Sequence, residues 1–138
     1  VYFFLVVRRL SRCIMGGSAA GSDFYKDSYY IKTAGSFNEY GAKKYTDGIK
    51  TIVGELKDQS FSILINNLQF EGGTPEAYEE LESYNSWLNK QKLIGKAMII
   101  TSSITLAVID KLSPSRASQQ IRCFNNETDG MNWLLGLN

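Results

Sequence analysis

The residues best suited to chemistry by type and spacing lie between Asn66 and Leu81, NNLQFEGGTPEAYEEL. Two amides close an apolar run, two glycines follow, and Thr74-Pro75 opens a helical pattern. A glycine-rich turn ahead of a helix can hold phosphate on its backbone amides. A Walker loop, however, needs GxxxxGK[ST], in which the lysine neutralises the phosphates. Here no lysine or arginine follows Gly72 and Gly73, and Glu76, Glu79 and Glu80 would repel a polyphosphate. The GxGxxG dinucleotide fingerprint is also absent. A plainer assignment accounts for each residue of EGGTP. Thr74 caps a helix, Pro75 takes its first position, Glu76 complements the positive end of its dipole, and the glycines supply the turn. Thr74 is also the candidate for phosphorylation: a phosphate there would meet the helix amides favourably and Glu71 and Glu76 unfavourably.

Phe37, Asn38, Asn66, Asn67, Thr101, Ser102 and Ser103 are expected at the same end of the sheet, where open α/β folds gather ligand contacts. With Glu71, Gly72, Gly73 and Thr74 they would form a partner or ligand surface. Arg116, after Ser113-Pro114-Ser115, is the cation placed near enough in the chain to bind an anion there. The competing assignment gives the polar groups to strand ends and helix starts, and leaves Arg116 a solvated loop charge.

Catalysis finds little support. The chain has no histidine, so the commonest general base and metal ligand are missing, and no GxSxG elbow is present. Two cysteines, Cys13 and Cys123, form no CxxC pair, and Cys123 reads as a small buried residue in an apolar run. Glu76, Glu79, Glu80 and Glu82 read as a solvated helix face without an apolar wall to shift their acidity. The expectation is a protein that is not an enzyme and uses neither metal nor cofactor, in a reducing cytoplasm.

These residues need a scaffold, and 138 residues suffice for one domain with a real core. Fifteen basic against fourteen acidic residues leave a net charge of +1, which gives no long-range pull toward nucleic acid or anionic membrane. The apolar stretch Val1 to Val7 is too short to span a bilayer. Residues 1–14 read as an upstream extension, with an added edge strand as the alternative, and the domain as 15–138. Asp23–Tyr25 and Tyr29–Ala34 read as an N-terminal hairpin around Lys26-Asp27-Ser28. A first helix, capped by Ser36 or Asn38, carries Tyr45, Ile49, Ile52, Val53 and Leu56 on one stripe. Strand FSILINN (61–67) follows, then a second helix from Thr74 to about Gln91 with Ala77, Leu81, Tyr84 and Leu88 inward. AMIIT (97–101) reads as a central strand. A third helix capped by Ser102 or Ser103 carries Ile104, Ala107, Val108 and Leu112 and stops before Pro114. A strand at 120–124 and a helix opened by Asn126 or Thr128 complete an α/β fold with a mainly parallel sheet.

Three segments, GSFNEYGAKKY (35–45), ILINNLQFEGGTPEAYEELESYNSWL (63–88) and IITSSI with SPSR (99–104, 113–116), resemble the STAS/CRAL-TRIO-like, or SpoIIAA-like, family of small and mostly uncharacterised bacterial proteins. The resemblance covers roughly 15–138 and implies a SpoIIAA-like α/β domain. Relatives in that fold include antagonists of anti-sigma factors, switched by phosphorylation at a helix start, and proteins holding lipid in an apolar pocket. The antagonists carry an Asp-Ser-Ser-Gly-type turn where this chain has Glu71-Gly72-Gly73-Thr74-Pro75, so the fold is implied and the phosphoswitch is not. The expected function is a non-catalytic cytoplasmic regulatory or protein-interaction domain, with homodimerisation open. The alternative is a carrier of a small apolar ligand or lipid between sheet and helices.

Overall fold

The computed structural model describes the backbone of residues 3–14 and 25–137 and the side chains of 28–137. Its elements run β1 (Phe3–Ile14), β2 (Tyr25–Phe37), α1 (Glu39–Glu55), β3 (Phe61–Gly73), α2 (Pro75–Leu88), β4 (Leu93–Ile99), α3 (Ser103–Leu112), a 3-10 turn (Pro114–Ser118), β5 (Ile121–Phe124) and α4 (Glu127–Leu135). The strands lie side by side in chain order; β2 to β5 are mutually parallel, and β1 runs antiparallel along β2. Right-handed crossovers between sequential neighbours must place every connecting helix on one face of the sheet. Tyr45, Ile49, Tyr84, Leu88 and Ile109 from α1 to α3 accordingly share one core with Ile31, Ile63, Ile65 and Met98. The opposite face carries Tyr30, Leu64, Ala97 and Ile99 under Leu134 of α4. Gly130 permits that approach, since a Cβ there would stand 2.9 Å from Ile99 Cδ1.

Local signals set most boundaries. Asn38 caps α1, its side chain accepting from Gly41 N at 2.9 Å, so Ser36 is left inside β2. Thr74 caps α2 by accepting from Ala77 N at 3.2 Å, and Ser102 caps α3 by accepting from Thr105 N at 3.1 Å. Asn126, rather than Thr128, opens α4.

Four expectations change. Lys26-Asp27-Ser28 is part of continuous strand β2, not a turn, because Lys26 pairs with β1 and Asp27 and Ser28 pair with both β1 and β3; Asp23 and Phe24 lie outside the described residues. β3 does not stop at Asn67: it pairs with β2 as far as Phe37↔Gly73, and Gly72, at φ +98, accommodates the irregular register on the way. The third helix turns Ile104, Ala107, Val108 and Leu112 outward and buries Ile109 instead. Cys123 is exposed on β5, because that edge strand has intermediate or exposed positions throughout. The segment 1–14 supplies β1 at the sheet edge. Cys13 and Cys123 therefore sit on opposite edge strands, four spacings of about 4.8 Å apart. No disulfide can join them within one chain.

Candidate functional site

Side chains alternate along a strand, and this divides the two amides that end the apolar run of β3. Asn66 points toward α4: its Nδ2 donates to Glu127 Oε1 at 2.6 Å, and Tyr30 OH donates to the same oxygen at 2.6 Å. Asn67 points toward the three-helix face, where its Oδ1 accepts from Thr33 Oγ1 at 2.6 Å. The expected cluster is thus split by the sheet. Asn38, Thr74 and Ser102 are spent as caps, Ser103 is exposed in the first turn of α3, and Glu71, Gly73 and Thr74 form an exposed rim. Phe37 is core, packed edge-on against Tyr45 and Phe70 at 6.1 and 5.2 Å.

Two of the four expected solvated carboxylates also have structural work. Glu80 accepts from Thr46 Oγ1 at 2.8 Å, tying α2 to α1, and Glu82 accepts from Ser115 N at 2.6 Å, tying α2 to the 3-10 turn. Glu76 and Glu79 remain exposed. Beside Glu79, an open groove runs between α2 and α3, lined by Gly73, Pro75, Tyr78, Val108 and Leu112.

Beneath the helices lies a chamber of about 60 Å³, lined by Phe37, Ile65, Phe70, Leu81, Met98 and Ile109 and by a polar wall of Thr33, Asn67, Tyr84, Asn85, Lys96 and Arg116. Arg116 is no loop charge: it is 7% exposed, because the 3-10 turn folds it inward past Asp110, with which it forms an ion pair, to within 3.6 Å of Met98 Sδ. Lys96 was not among the residues singled out from sequence. It is 5% exposed on the inward side of β4, donates to Asn85 Oδ1 at 3.2 Å, and stands 6.0 Å from the Tyr84 ring centre. Burial, reinforced by the positive charge of Arg116, lowers its pKa to about 7. Burial also raises the phenols of Tyr45 and Tyr84, so both stay neutral at ordinary pH. The two phenols influence each other, yet Tyr84 OH completes no hydrogen bond of ordinary geometry. The chamber is far smaller than the roughly 300–1,000 Å³ of pockets for drug-sized ligands. A long acyl chain does not fit this chamber.

Among the described residues, no group of three or more His, Cys, Asp or Glu side chains is placed to hold a metal ion. No described helix is long and apolar enough to cross a membrane. No known family model and no curated protein matches the sequence. Among solved structures, the chain is similar to an uncharacterised protein of the DUF3478 family with a SpoIIAA-like fold, from Shewanella loihica PV-4. The two share 13% identity with a TM-score of 0.67, over 97% of this chain and 96% of that one. The fold is therefore SpoIIAA-like, as the sequence resemblance implies.

Proposed function

We propose that this chain is a non-catalytic cytoplasmic interaction domain whose groove between α2 and α3 receives an amphipathic segment of a protein partner, apolar along one side and basic beside it. The observation that carries this reading is the outward apolar stripe of α3. Ile104, Val108 and Leu112 recur every four residues and are 78%, 40% and 41% exposed. A crossover helix in this fold normally buries such a stripe, and an unburied one joined to a groove is characteristic of binding surfaces. The exposed carboxylates Glu71, Glu76 and Glu79 stand by the α2 end of the surface and set the complementary charge of the occupant. The absence of histidine from the sequence supports a non-catalytic role, and the separation of the cysteines agrees with a reducing compartment. Phosphorylation of Thr74 would add negative charge at the rim and strengthen a basic partner's hold.

A labelled helical peptide of leucine and lysine tests the reading against its leucine–glutamate counterpart by fluorescence anisotropy. The lysine peptide should bind saturably, Val108→Glu should abolish binding without unfolding the domain, and Leu68→Glu, on the exposed part of β3, should leave it intact. Equal binding of the lysine peptide by Val108→Glu refutes the assignment.

A further inference from the structure

The buried chamber contains an electrostatic imbalance. Lys96 and Arg116 both line it, while the carboxylate paired with Arg116, Asp110, lies outside with its side chain 61% exposed. Lys96 has a neutral amide as its hydrogen-bond acceptor. Taking a cation out of water costs several kcal/mol unless a counter-charge and hydrogen bonds compensate it. One buried donor on the same wall, Arg116 Nε, is moreover unspent, and Tyr84 OH has only the Tyr45 phenol beside it. Buried polar atoms are nearly always partnered, so an orphan guanidinium donor beside the Lys96 amine points to what is missing: an acceptor carrying negative charge.

We propose that the chamber binds a compact organic carboxylate, its charged end among Lys96, Arg116 and Tyr84 and its short apolar body against Phe70, Leu81 and Met98. The site is separate from the groove between α2 and α3 and does not depend on it. Size limits the ligand. A water molecule needs roughly 10–15 Å³ by the same measure, so about 60 Å³ holds roughly four to six non-hydrogen atoms. Acetate, propionate and butyrate fall in that range. The apolar wall disfavours inorganic phosphate, which would leave several oxygens facing carbon.

Proton accounting supplies a readout that simple occupancy would not. At pH 8 the Lys96 amine, with its pKa near 7, is mostly neutral in the free protein. A bound carboxylate favours the ammonium, so binding must take up a proton. The other groups facing it are Tyr45 from α1, Tyr84 from α2 and Arg116 from the 3-10 turn, backed by Asp110 from α3; the raised phenols stay neutral in this range.

Titration calorimetry at pH 8, in two carboxylate-free buffers of different ionisation enthalpy, tests the proposal. Propionate or butyrate should bind one to one with uptake approaching one proton, and propionamide should not bind. Lys96→Met should lose both binding and uptake; it should stay folded, because Gln119 Nε2 still donates to Asn85 Oδ1 at 3.1 Å. Tyr84→Phe keeps the shape and should weaken binding about tenfold, the loss of one hydrogen bond to a charge; it carries the test if Lys96→Met proves unstable. Three results each overturn the proposal: no saturable binding up to tens of millimolar, phosphate binding as tightly as propionate, or unchanged binding in the folded variant.

Discussion

Replacing Lys96 by Met should change not only how stable the protein is but how its stability responds to pH. In the unfolded chain the amine titrates near its ordinary 10.5; in the fold, desolvation first and Arg116 second bring it down to about 7. Between those values the unfolded state holds a proton that the folded state has released, so the wild-type protein gains stability as pH rises. Below the folded value both states are protonated, the slope vanishes, and the protein bears the full cost of a buried ammonium. Each pH unit inside the window is worth about 1.4 kcal/mol. From pH 7.5 to 9.0 the wild-type protein should therefore gain about 2 kcal/mol over Lys96→Met, which has no such group. At pH 6 the variant should be the more stable, having exchanged a buried cation for an apolar side chain of similar length. Urea titrations of both proteins at pH 6.0, 7.5 and 9.0, in carboxylate-free buffer, supply the free energies; Tyr45 and Tyr84 are common to both and cancel. Parallel stability profiles would mean that Lys96 stays charged and hydrated, and the account of the chamber would fail.

Thr74→Ala should cost about 1 kcal/mol by removing the cap of α2, with Thr74→Ser and Thr74→Asp much milder; a neutral alanine variant in urea titration contradicts the cap. Glu127→Ala should cost about 2 kcal/mol, since Tyr30 OH and the Asn66 amide both donate to it, and Glu127→Gln should cost less; equal losses in thermal melts would point to packing instead. Deleting residues 1–14 should leave a cooperative unfolding transition at a lower midpoint, because β2 loses its ladder to β1 and keeps the one to β3. Loss of cooperativity would make β1 an integral strand.

The start of α2 was legible because its signals are adjacent: Thr74, Pro75 and Glu76 act on one another through a single turn. The stripes of α1 and α2 were legible for a similar reason, since Tyr45, Ile49 and Val53, or Ala77, Tyr84 and Leu88, leave one choice of inner face. α3 offers two. Ile104, Val108 and Leu112 form one stripe and Leu106 and Ile109 the other, and the sheet selects the smaller. Asn66 and Asn67 look like a pair in sequence, but a strand's two-residue period sends neighbours to opposite layers. Lys96 was hidden differently. It directly precedes the apolar run Ala97 to Ile100, so it resembles a strand's wet end, and only the covering by α1, α2 and the 3-10 turn buries it. The inward alternation with Met98 was the available clue. Chain proximity places Arg116 near the site, but its burial depends on a turn that sequence patterns describe poorly.

The position of α4 on the far side of the sheet also bears on how the chain assembles during synthesis. Strands that pair in chain order can be added one at a time to a growing edge, with short loops closing before long ones are needed. Three helices cover the near face as they emerge, but α4 follows every strand it covers. Until it docks, Leu64, Ala97 and Ile99 face water on the nascent sheet. A released chain truncated before Met131, or a proteolytic cut there, should leave a species that associates with itself and recruits chaperones, although the strands of the parallel sheet are all present.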